Sequence, residues 1–151
     1  MKSKWQQSIE EFMRKAGQNV PDEPTQPTEE ERILRAKLIM EEALETIRDL
    51  GVDTYFKFRK LDPNLMRFEI SDQEFNMEGV ADGCADILVV TIGTLSCCGV
   101  MDTPIMHEVN QANLRKFDLG GYRREDGKWM KPPDWQPPDI QGKLKAMGFQ
   151  Q

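Results

Sequence analysis

The sequence predicts an all-α protein, a bundle of four to five helices followed by an extended C-terminal arm rich in proline and tryptophan. Three observations support this fold class. Apolar residues recur at helical spacing over four long segments, the alternation typical of strands is scarce, and glycine, proline and aromatic residues become frequent after about residue 120. A chain of 151 residues fits one domain, 1–151, in which 121–140 form the arm.

The charge balance narrows the classes of partner. Acidic residues outnumber basic ones by 26 to 20, which gives a net charge of −6 and a pI near 4.9. This balance disfavours extended contact with nucleic acid, but it is compatible with a small phosphorylated ligand, because a bound cation inverts the local field. The longest apolar stretch, 87–95, is too short to span a bilayer. We therefore expect a soluble, cytoplasmic protein with no membrane partner and no stable nucleic-acid partner.

The first two helices are predicted from periodicity and capping residues. Residues 5–15 form a helix that carries on one side Trp5, Ile9, Phe12 and Met13. After a connector with several prolines, Thr28 precedes Glu31 with the spacing of a capping box. The second helix is therefore predicted from about 29 to 50, and Gly51 ends it.

The second helix carries two stripes of side chains. At about 100° per residue, one face is apolar and holds Ile33, Ala36, Met40, Ala43, Leu44 and Ile47. The opposite stripe begins with Leu34 and Leu38 and continues with Glu41 and Glu45. Since a solvated face rarely begins with two leucines, we expect this helix to be covered on both sides, with the acids inside a cleft.

The next segment, 51–75, predicts a variable connection rather than a regular element. Residues 52–58 are compatible with a short strand or a frayed helix, and 66–70 predict one short extended piece. The third helix is predicted to begin near 72–74 and to run to Cys97.

The third helix is predicted to be central. Its middle, 85–95, is apolar almost all round, which is typical of a buried helix. Gly99 ends it, and Thr103 with Pro104 has the pattern of an N-cap and a first helical position. The fourth helix is therefore predicted over 104–117. The three cysteines lack zinc-site spacing and are expected to be small buried thiols: Cys84, Cys97 and Cys98.

Carboxylates on the second and third helices carry the predicted chemistry. Glu41, Glu42 and Glu45 form an EExxE pattern, in which the first and last share a face. On the third helix one carboxylate recurs every four residues: Glu78, Asp82 and Asp86. Gly79 and Gly83 lie beside that line, where a missing side chain lets a helix or a ligand approach.

Repulsion within such a cluster calls for a counter-charge. Two carboxylates about 4 Å apart repel by about 4 kcal/mol at an effective dielectric near 20. Arg35, Lys37 and Arg48 are the cations close in sequence, but Mg²⁺ or Mn²⁺ meets this need better, because hard cations prefer oxygen ligands. The predicted ligand candidates are Glu41, Glu42, Glu45, Glu78, Asp82 and Asp86.

The fourth helix offers groups suited to a nucleotide. Asn110 and Asn113 share a face, and Lys116 follows three residues later. An amide can recognise a base or sugar edge, and a lysine can bind a phosphate. His107, the single histidine, is interpreted as a surface residue near the helix start rather than a catalytic group.

The C-terminal segment predicts a hairpin followed by an arm. EDGK at 125–128 is a hairpin-turn signal. Four prolines surround Trp135, so this stretch is expected to be extended and to dock either on its own bundle or on a neighbouring subunit.

At this point the motifs match a known family. The chain resembles the all-α nucleoside triphosphate pyrophosphohydrolases of the MazG-like superfamily, in particular the phosphoribosyl-ATP pyrophosphohydrolase-like branch common in bacteria and their phages. The similarity is carried by LRAKLIMEEALETI at 34–47, EGVADGCADILVVTIGTL at 78–95, HEVNQANLRKFD at 107–118 and GYRREDGKWMKPPDWQPPDI at 121–140, together with the early segment 12–28.

This resemblance implies an activity and roles for residues. The family hydrolyses a nucleoside triphosphate between its α and β phosphates, which gives the monophosphate and pyrophosphate, with Mg²⁺ or Mn²⁺ held by acidic residues. Direct motif matches imply metal ligands at Glu41, Glu42, Glu45 and Asp86. The family commonly has a glutamate where this chain has Gly83, so Asp82 or Glu78 is expected to complete the set.

The remaining implied roles concern base, substrate and assembly. Glu42 or Glu45 is the candidate general base for the attacking water, and Asn113 with Lys116 match nucleotide-contacting positions. The resemblance also implies a homodimer or homotetramer. Two other classes stay open: a non-catalytic helical module that binds metal and nucleotide, and a structural protein that uses its arm for contact.

Overall fold

The computed structural model describes residues 1–55, 67–70, 72, 74, 76–118, 120–125 and 129–150. Within this part the chain is all-α, as predicted, with helices α1 (Lys4–Lys15), α2 (Glu29–Asp49), α3 (Met77–Cys97), α4 (Asp102–Asp118) and α5 (Ile140–Ala146). Two short antiparallel strand pairs accompany them: β1 (Val52–Tyr55) with β2 (Arg67–Ile70), and β3 (Tyr122–Arg123) with β4 (Trp129–Met130). The chain divides into two compact units, Pro27–Thr94 and Met1–Gln26 with the chain from Leu95 onward.

The Pro27–Thr94 unit begins with the predicted capping box. Thr28 Oγ1 accepts the N–H of Glu31 at 3.2 Å, and the Glu31 carboxylate accepts the N–H of Thr28 at 2.7 Å. An α-helix leaves its first four backbone N–H groups without a partner inside the helix. The capping box satisfies two of them, those of Thr28 and Glu31. Of the two alternatives left open after Gly51, the structure has the strand at Val52–Tyr55, and the extended piece predicted at 66–70 is confirmed over Arg67–Ile70, since β1 pairs with β2 in the register Val52↔Ile70. The remaining calls for 56–66 lie outside the described residues.

Burial on α2 and α3 differs from the prediction. Ile33 is 57% exposed, and Leu88 and Val89 on α3 are 59% and 40% exposed. The α2 side chains that are buried are those of Arg35 and Thr46. The expectations that α2 is covered on both sides and that α3 is buried are therefore wrong for the single chain. Periodicity identifies an apolar face but does not show what packs against it. α3 is long and apolar enough to cross a membrane, judged by its length and composition alone. Core helices of soluble proteins meet the same two criteria.

In the unit formed by the two ends of the chain, the predicted face of α1 is confirmed for Ile9 and Met13 and wrong for Trp5 and Phe12. Its buried residues are Gln6, Ile9, Glu10 and Met13, whereas Trp5 and Phe12 are 75% and 63% exposed. The Gln6 side chain explains this difference. Its amide nitrogen donates to Ser96 Oγ at 3.1 Å and to the carbonyl of Val100 at 2.8 Å, so a buried polar group is fully used.

The same network sets the start of α4. The helix begins at Asp102, two residues before the predicted start, and Thr103 is therefore not its N-cap. The backbone N–H of Asp102 donates to Gln6 Oε1 at 2.8 Å, which satisfies one free donor of the first turn. The Asp102 carboxylate in turn accepts the N–H of Ser3 at 2.9 Å, the Ser3 hydroxyl, and the N–H of Thr103 at 2.7 Å. A side chain distant in sequence thus fixes this boundary.

The C-terminal segment lies against α4 of its own chain. The predicted hairpin forms, with Tyr122 opposite Met130, and the turn residues 126–128 lie outside the described part. Trp135 then donates its indole N–H to the carbonyl of Ala112 at 2.6 Å. Glu108 on α4 accepts the N–H of Asp139 at 3.2 Å, just before α5. All three cysteines are free, and Cys84 is exposed rather than buried as expected.

Candidate active site

Two glycines on α3 allow α2 to approach closely. A Cβ at position 83 would overlap the hydroxyl of Thr46, and a Cβ at position 79 would overlap the carboxylate of Asp49. The Thr46 hydroxyl is buried and donates to the carbonyl of Glu42 at 2.7 Å. The prediction that these glycines permit close approach is confirmed, and the approaching group is the α2 helix itself. Position 83 therefore has no room for a carboxylate side chain pointing in the same direction.

This approach brings the acids of the two helices into one electrostatic field. Partial burial and the negative charges of Asp86, Glu45, Glu41 and Asp82, in that order, raise the pKa of Glu42 above its ordinary value of 4.5. Two of these four neighbours belong to α3. Acids of both helices therefore act on Glu42, the middle glutamate of the EExxE pattern.

Asp82 and Glu78 also border a cavity. It has a volume of about 570 Å³, opens to solvent, and is lined by Asn76, Glu78, Gly79, Ala81, Asp82 and Ala85. Asn76 caps the start of α3, because its side-chain oxygen accepts the N–H of Gly79 at 3.1 Å. Its amide nitrogen donates to Asp49 at 3.3 Å, which ties the cavity wall to the end of α2. Both Glu78 and Asp82 border this cavity. Asp82 in addition contributes to the raised pKa of Glu42 through its negative charge.

The carboxylates do not form a ready-made cage. Within the described ranges, no three Asp, Glu, His or Cys side chains are arranged as a group that could hold a metal ion. Four of the six candidates are exposed, namely Glu41, Glu45, Glu78 and Asp82, and the other two are half-buried. The donor chemistry nevertheless fits a hard divalent cation, since every group offers carboxylate oxygens. After partial burial, the negative charges of the neighbouring acids contribute to the raised pKa of Glu42, and a bound cation would act in the opposite direction.

The predicted nucleotide-contacting residues lie together on α4, in the other unit. Asn110 and Asn113 are exposed, and Lys116 donates from its ammonium group to Asn113 Oδ1 at 2.7 Å. The same ammonium group lies 5.4 Å from the centre of the Trp135 ring. His107 is exposed near the start of α4, as interpreted from the sequence.

Sequence reasoning missed two residues that the structure places beside Lys116. The sequence predicts Trp135 only as part of a docking arm and predicts no role for Lys131. Lys131 holds its ammonium group 4.9 Å from the centre of the same indole ring. A sequence signal existed, namely a lysine four residues before a tryptophan in a proline-rich stretch, but nothing in that pattern points to α4.

Comparison with known families defines the class of protein. A family model described as phosphoribosyl-ATP pyrophosphohydrolase matches residues 9–113, about two thirds of the chain. The match includes the acids of α2 and α3 and ends at Asn113. No individual curated protein matches the chain.

The chain therefore belongs to the phosphoribosyl-ATP pyrophosphohydrolase family. This membership makes it a pyrophosphohydrolase that acts on a nucleotide-like substrate. The C-terminal segment from Leu114 onward, with Lys116, Lys131 and Trp135, lies beyond the matched region.

Proposed function

We propose that this protein is a metal-dependent nucleoside triphosphate pyrophosphohydrolase, which cleaves an NTP or dNTP to the monophosphate and pyrophosphate. The observation that carries the proposal is the close approach of α2 and α3 at Thr46 and Gly83, which are adjacent in sequence to Glu45 and Asp82, so that carboxylates of the two helices repel one another. Such repulsion is costly in a resting protein unless the cluster has a cationic ligand. Family membership supplies the reaction class, and the carboxylates supply the means to bind a metal–polyphosphate complex.

The proposed metal ligands are Glu42 and the acids whose charges act on it. Mg²⁺ or Mn²⁺ would be held by Glu41, Glu42, Glu45 and Asp86. Asp82 would supply the carboxylate that the family commonly has at the position of Gly83. Glu78 remains an outer candidate on the cavity wall. When bound, such a cation neutralises charge that develops on the phosphate oxygens and orients the polyphosphate.

Glu42 is the better placed of the two candidate bases. Glu42 is half-buried and the charges of acids on both α2 and α3 act on it, whereas Glu45 is exposed, so a water held beside the proposed metal ligands would meet Glu42 in the less solvated place. Glu42 would accept one proton from water as its oxygen attacks the α-phosphorus. The bond from that phosphorus to the bridging oxygen then breaks, and pyrophosphate leaves with the bonding electrons. Glu45, one turn further along α2, would orient the water or Glu42 itself.

The nucleotide-binding role falls to α4. The amides of Asn110 and Asn113 would meet the base or the sugar, and the Lys116 ammonium would meet a phosphate oxygen. Asn113 already fixes the Lys116 ammonium by a hydrogen bond, so less side-chain entropy would be lost on binding.

We also propose that the active form is a homodimer or homotetramer. Large apolar side chains on α2 and α3 are exposed in the single chain, among them Ile33, Leu88 and Val89. A second copy would remove these surfaces from water. Analytical ultracentrifugation of the wild type and of a Leu88→Glu variant tests this, and a monomeric wild type contradicts it.

The decisive experiment is a substrate panel. Pyrophosphate release is measured for the NTPs, the dNTPs and phosphoribosyl-ATP with Mg²⁺, with Mn²⁺ and with chelator. We expect at least one triphosphate to release pyrophosphate, and we expect chelator to abolish this release. Nucleotide binding without release of pyrophosphate from any compound would favour the non-catalytic module instead.

Matched variants assign the acids. Glu42→Gln and Asp86→Asn are expected to lower kcat by at least about 100-fold, within the range typical of a lost general base or metal ligand. Glu30→Gln, an exposed acid in the first turn of the same helix, is the control and should leave kcat unchanged. Asp82→Asn is expected to be more damaging than Glu78→Gln. If Glu42→Gln retains full activity, the base is assigned wrongly.

A further inference from the structure

Two lysines share one indole ring in the C-terminal part of the chain. The ammonium group of Lys116 lies 5.4 Å from the centre of the Trp135 ring, and that of Lys131 lies 4.9 Å from it. The two ammonium groups are therefore no farther apart than the sum of these distances. One comes from α4 and the other from the segment after β4, so the pair exists only because Trp135 docks on α4.

The indole ring is fixed by contacts of its own. Trp135 donates its N–H to the carbonyl of Ala112 at 2.6 Å, and Ala112 is 1% exposed. The Trp135 backbone N–H also donates to the carbonyl of Pro132 at 3.1 Å, which closes a turn around the ring. The ring is thus a rigid support on which the lysine side chains rest, rather than a loosely placed surface aromatic.

The ring holds these cations without neutralising them. An aromatic face attracts an ammonium group through its quadrupole and carries no net charge. In the described part of the chain, no carboxylate forms an ion pair with Lys116 or Lys131. As far as the described residues go, both ammonium groups keep their charge for an anion, and the hydrogen bond to Asn113 orients one of them.

The local charge of the sequence supports an anionic ligand. Residues 115–151 contain eight basic and five acidic residues, so this stretch carries +3 in a chain whose total is −6. The positive charge is thus concentrated at the end of α4 and in the segment that follows it. This concentration lies beyond the family match, which ends at residue 113.

We propose that Lys116, Lys131 and Trp135 form a binding site for the polyphosphate group of a nucleotide. The two ammonium groups contact phosphate oxygens, and the indole keeps them in place. The assignment of this ligand to the substrate rests on the proposed function, because Lys116 is its predicted nucleotide contact. Lys131 and Trp135 are the new residues, and they act as phosphate-binding and positioning residue respectively.

The first test measures the binding of inorganic pyrophosphate without turnover. The full chain is titrated calorimetrically with pyrophosphate in chelator, so that metal bound to the acids does not contribute. Lys131→Gln should weaken binding by about tenfold, the loss typical of one charge-assisted hydrogen bond. Lys145→Gln makes the same change of net charge at an exposed position on α5, and it should leave the affinity unchanged.

A spectroscopic readout locates the ligand. Incorporation of 5-fluorotryptophan gives one ¹⁹F resonance for each of the three tryptophans, and Trp135→Phe assigns that of Trp135. Pyrophosphate should shift the Trp135 resonance and not that of Trp5. The proposal is overturned if Lys131→Gln and Lys145→Gln bind pyrophosphate equally well, if the Trp135 resonance does not move, or if sulfate binds as tightly as pyrophosphate.

The kinetic arm separates this proposal from the proposed function. With an active substrate, Lys131→Gln should raise KM by about tenfold and leave kcat within about twofold. Trp135→Phe should raise KM less than Trp135→Leu, because a phenyl ring still offers a face to a cation. If no substrate is turned over but pyrophosphate binding still depends on Lys131, the anion site stands and the proposed function falls. If turnover is found and Lys131→Gln leaves KM unchanged, the anion site falls alone.

Discussion

Replacing Gly83 by alanine should destabilise the protein, although alanine is the better helix former. The added methyl group would overlap the Thr46 hydroxyl and come close to the Thr46 backbone. Overpacking of this kind costs about 1–3 kcal/mol. If Thr46 rotates away, it gives up its hydrogen bond to the carbonyl of Glu42, worth about 1 kcal/mol. The helix propensity of alanine returns about 1 kcal/mol, so the expected net loss is about 1–3 kcal/mol.

Thermal unfolding measures this loss. In a protein of this size each kcal/mol lowers Tm by about 2–4 °C. Ala81→Gly, at an exposed position on the same helix, calibrates the propensity contribution alone. In the Thr46→Ala background Gly83→Ala should cost less, because the nearest overlapping atom is gone. A Gly83→Ala protein as stable as the wild type would show that the two helices are not in contact here, and the reasoning about position 83 would be refuted.

Three further predictions concern titratable groups. Because partial burial and neighbouring acids raise the pKa of Glu42, its ionised form destabilises the fold as pH rises above about 4.5. Glu42→Gln without metal should therefore raise Tm at pH 7.5 and give no gain at pH 3.5, where Glu42 is mostly protonated in both the folded and the unfolded chain. Burial alone would raise the pKa of Asp102, but hydrogen bonds from Ser3 and Thr103 outweigh it and lower that pKa below 3.8. The stabilisation is thus present above pH 4 and lost as pH falls through the lowered value, so Asp102→Asn should cost about 1–2 kcal/mol at pH 7 in chemical denaturation and less near pH 2. The hydrogen bond from the N–H of Asp139, together with Lys143 and Arg115, outweighs desolvation and lowers the pKa of Glu108. Glu108→Gln should therefore speed amide hydrogen exchange in α5, and unchanged exchange there would show that Glu108 does not hold this helix.

Helix positions were predictable because their signals are local. The Thr28–Glu31 capping box and Gly99, with a φ of 70°, act within a few residues of the boundary that they set. The start of α4 was not predictable in this way. It depends on Gln6, which lies 96 residues from the Asp102 backbone N–H that it accepts. The buried side of α1 follows the same residue, since hydrophobic periodicity ignores a glutamine whose amide is fully hydrogen-bonded.

The candidate site divides in the same manner. Spacing along α2 and α3 identified the acids, because residues four apart share a helix face. The contribution of Asp86 and Asp82 to the raised pKa of Glu42 depends on the tertiary structure, in which α3 approaches α2 closely at Gly83 and Thr46. The position of Trp135 over Lys116 and Lys131 needed the C-terminal segment to dock on α4.

By itself, the sequence determined the all-α class, the capping box of α2, the glycine positions on α3 and the list of carboxylates, since each is encoded by residues close together in the chain. Only the tertiary structure decided which α3 acids act on Glu42, where α4 begins and which aromatic ring lies beside Lys116. These three outcomes depend on contacts between residues distant in sequence, and their geometry is set by packing rather than by periodicity.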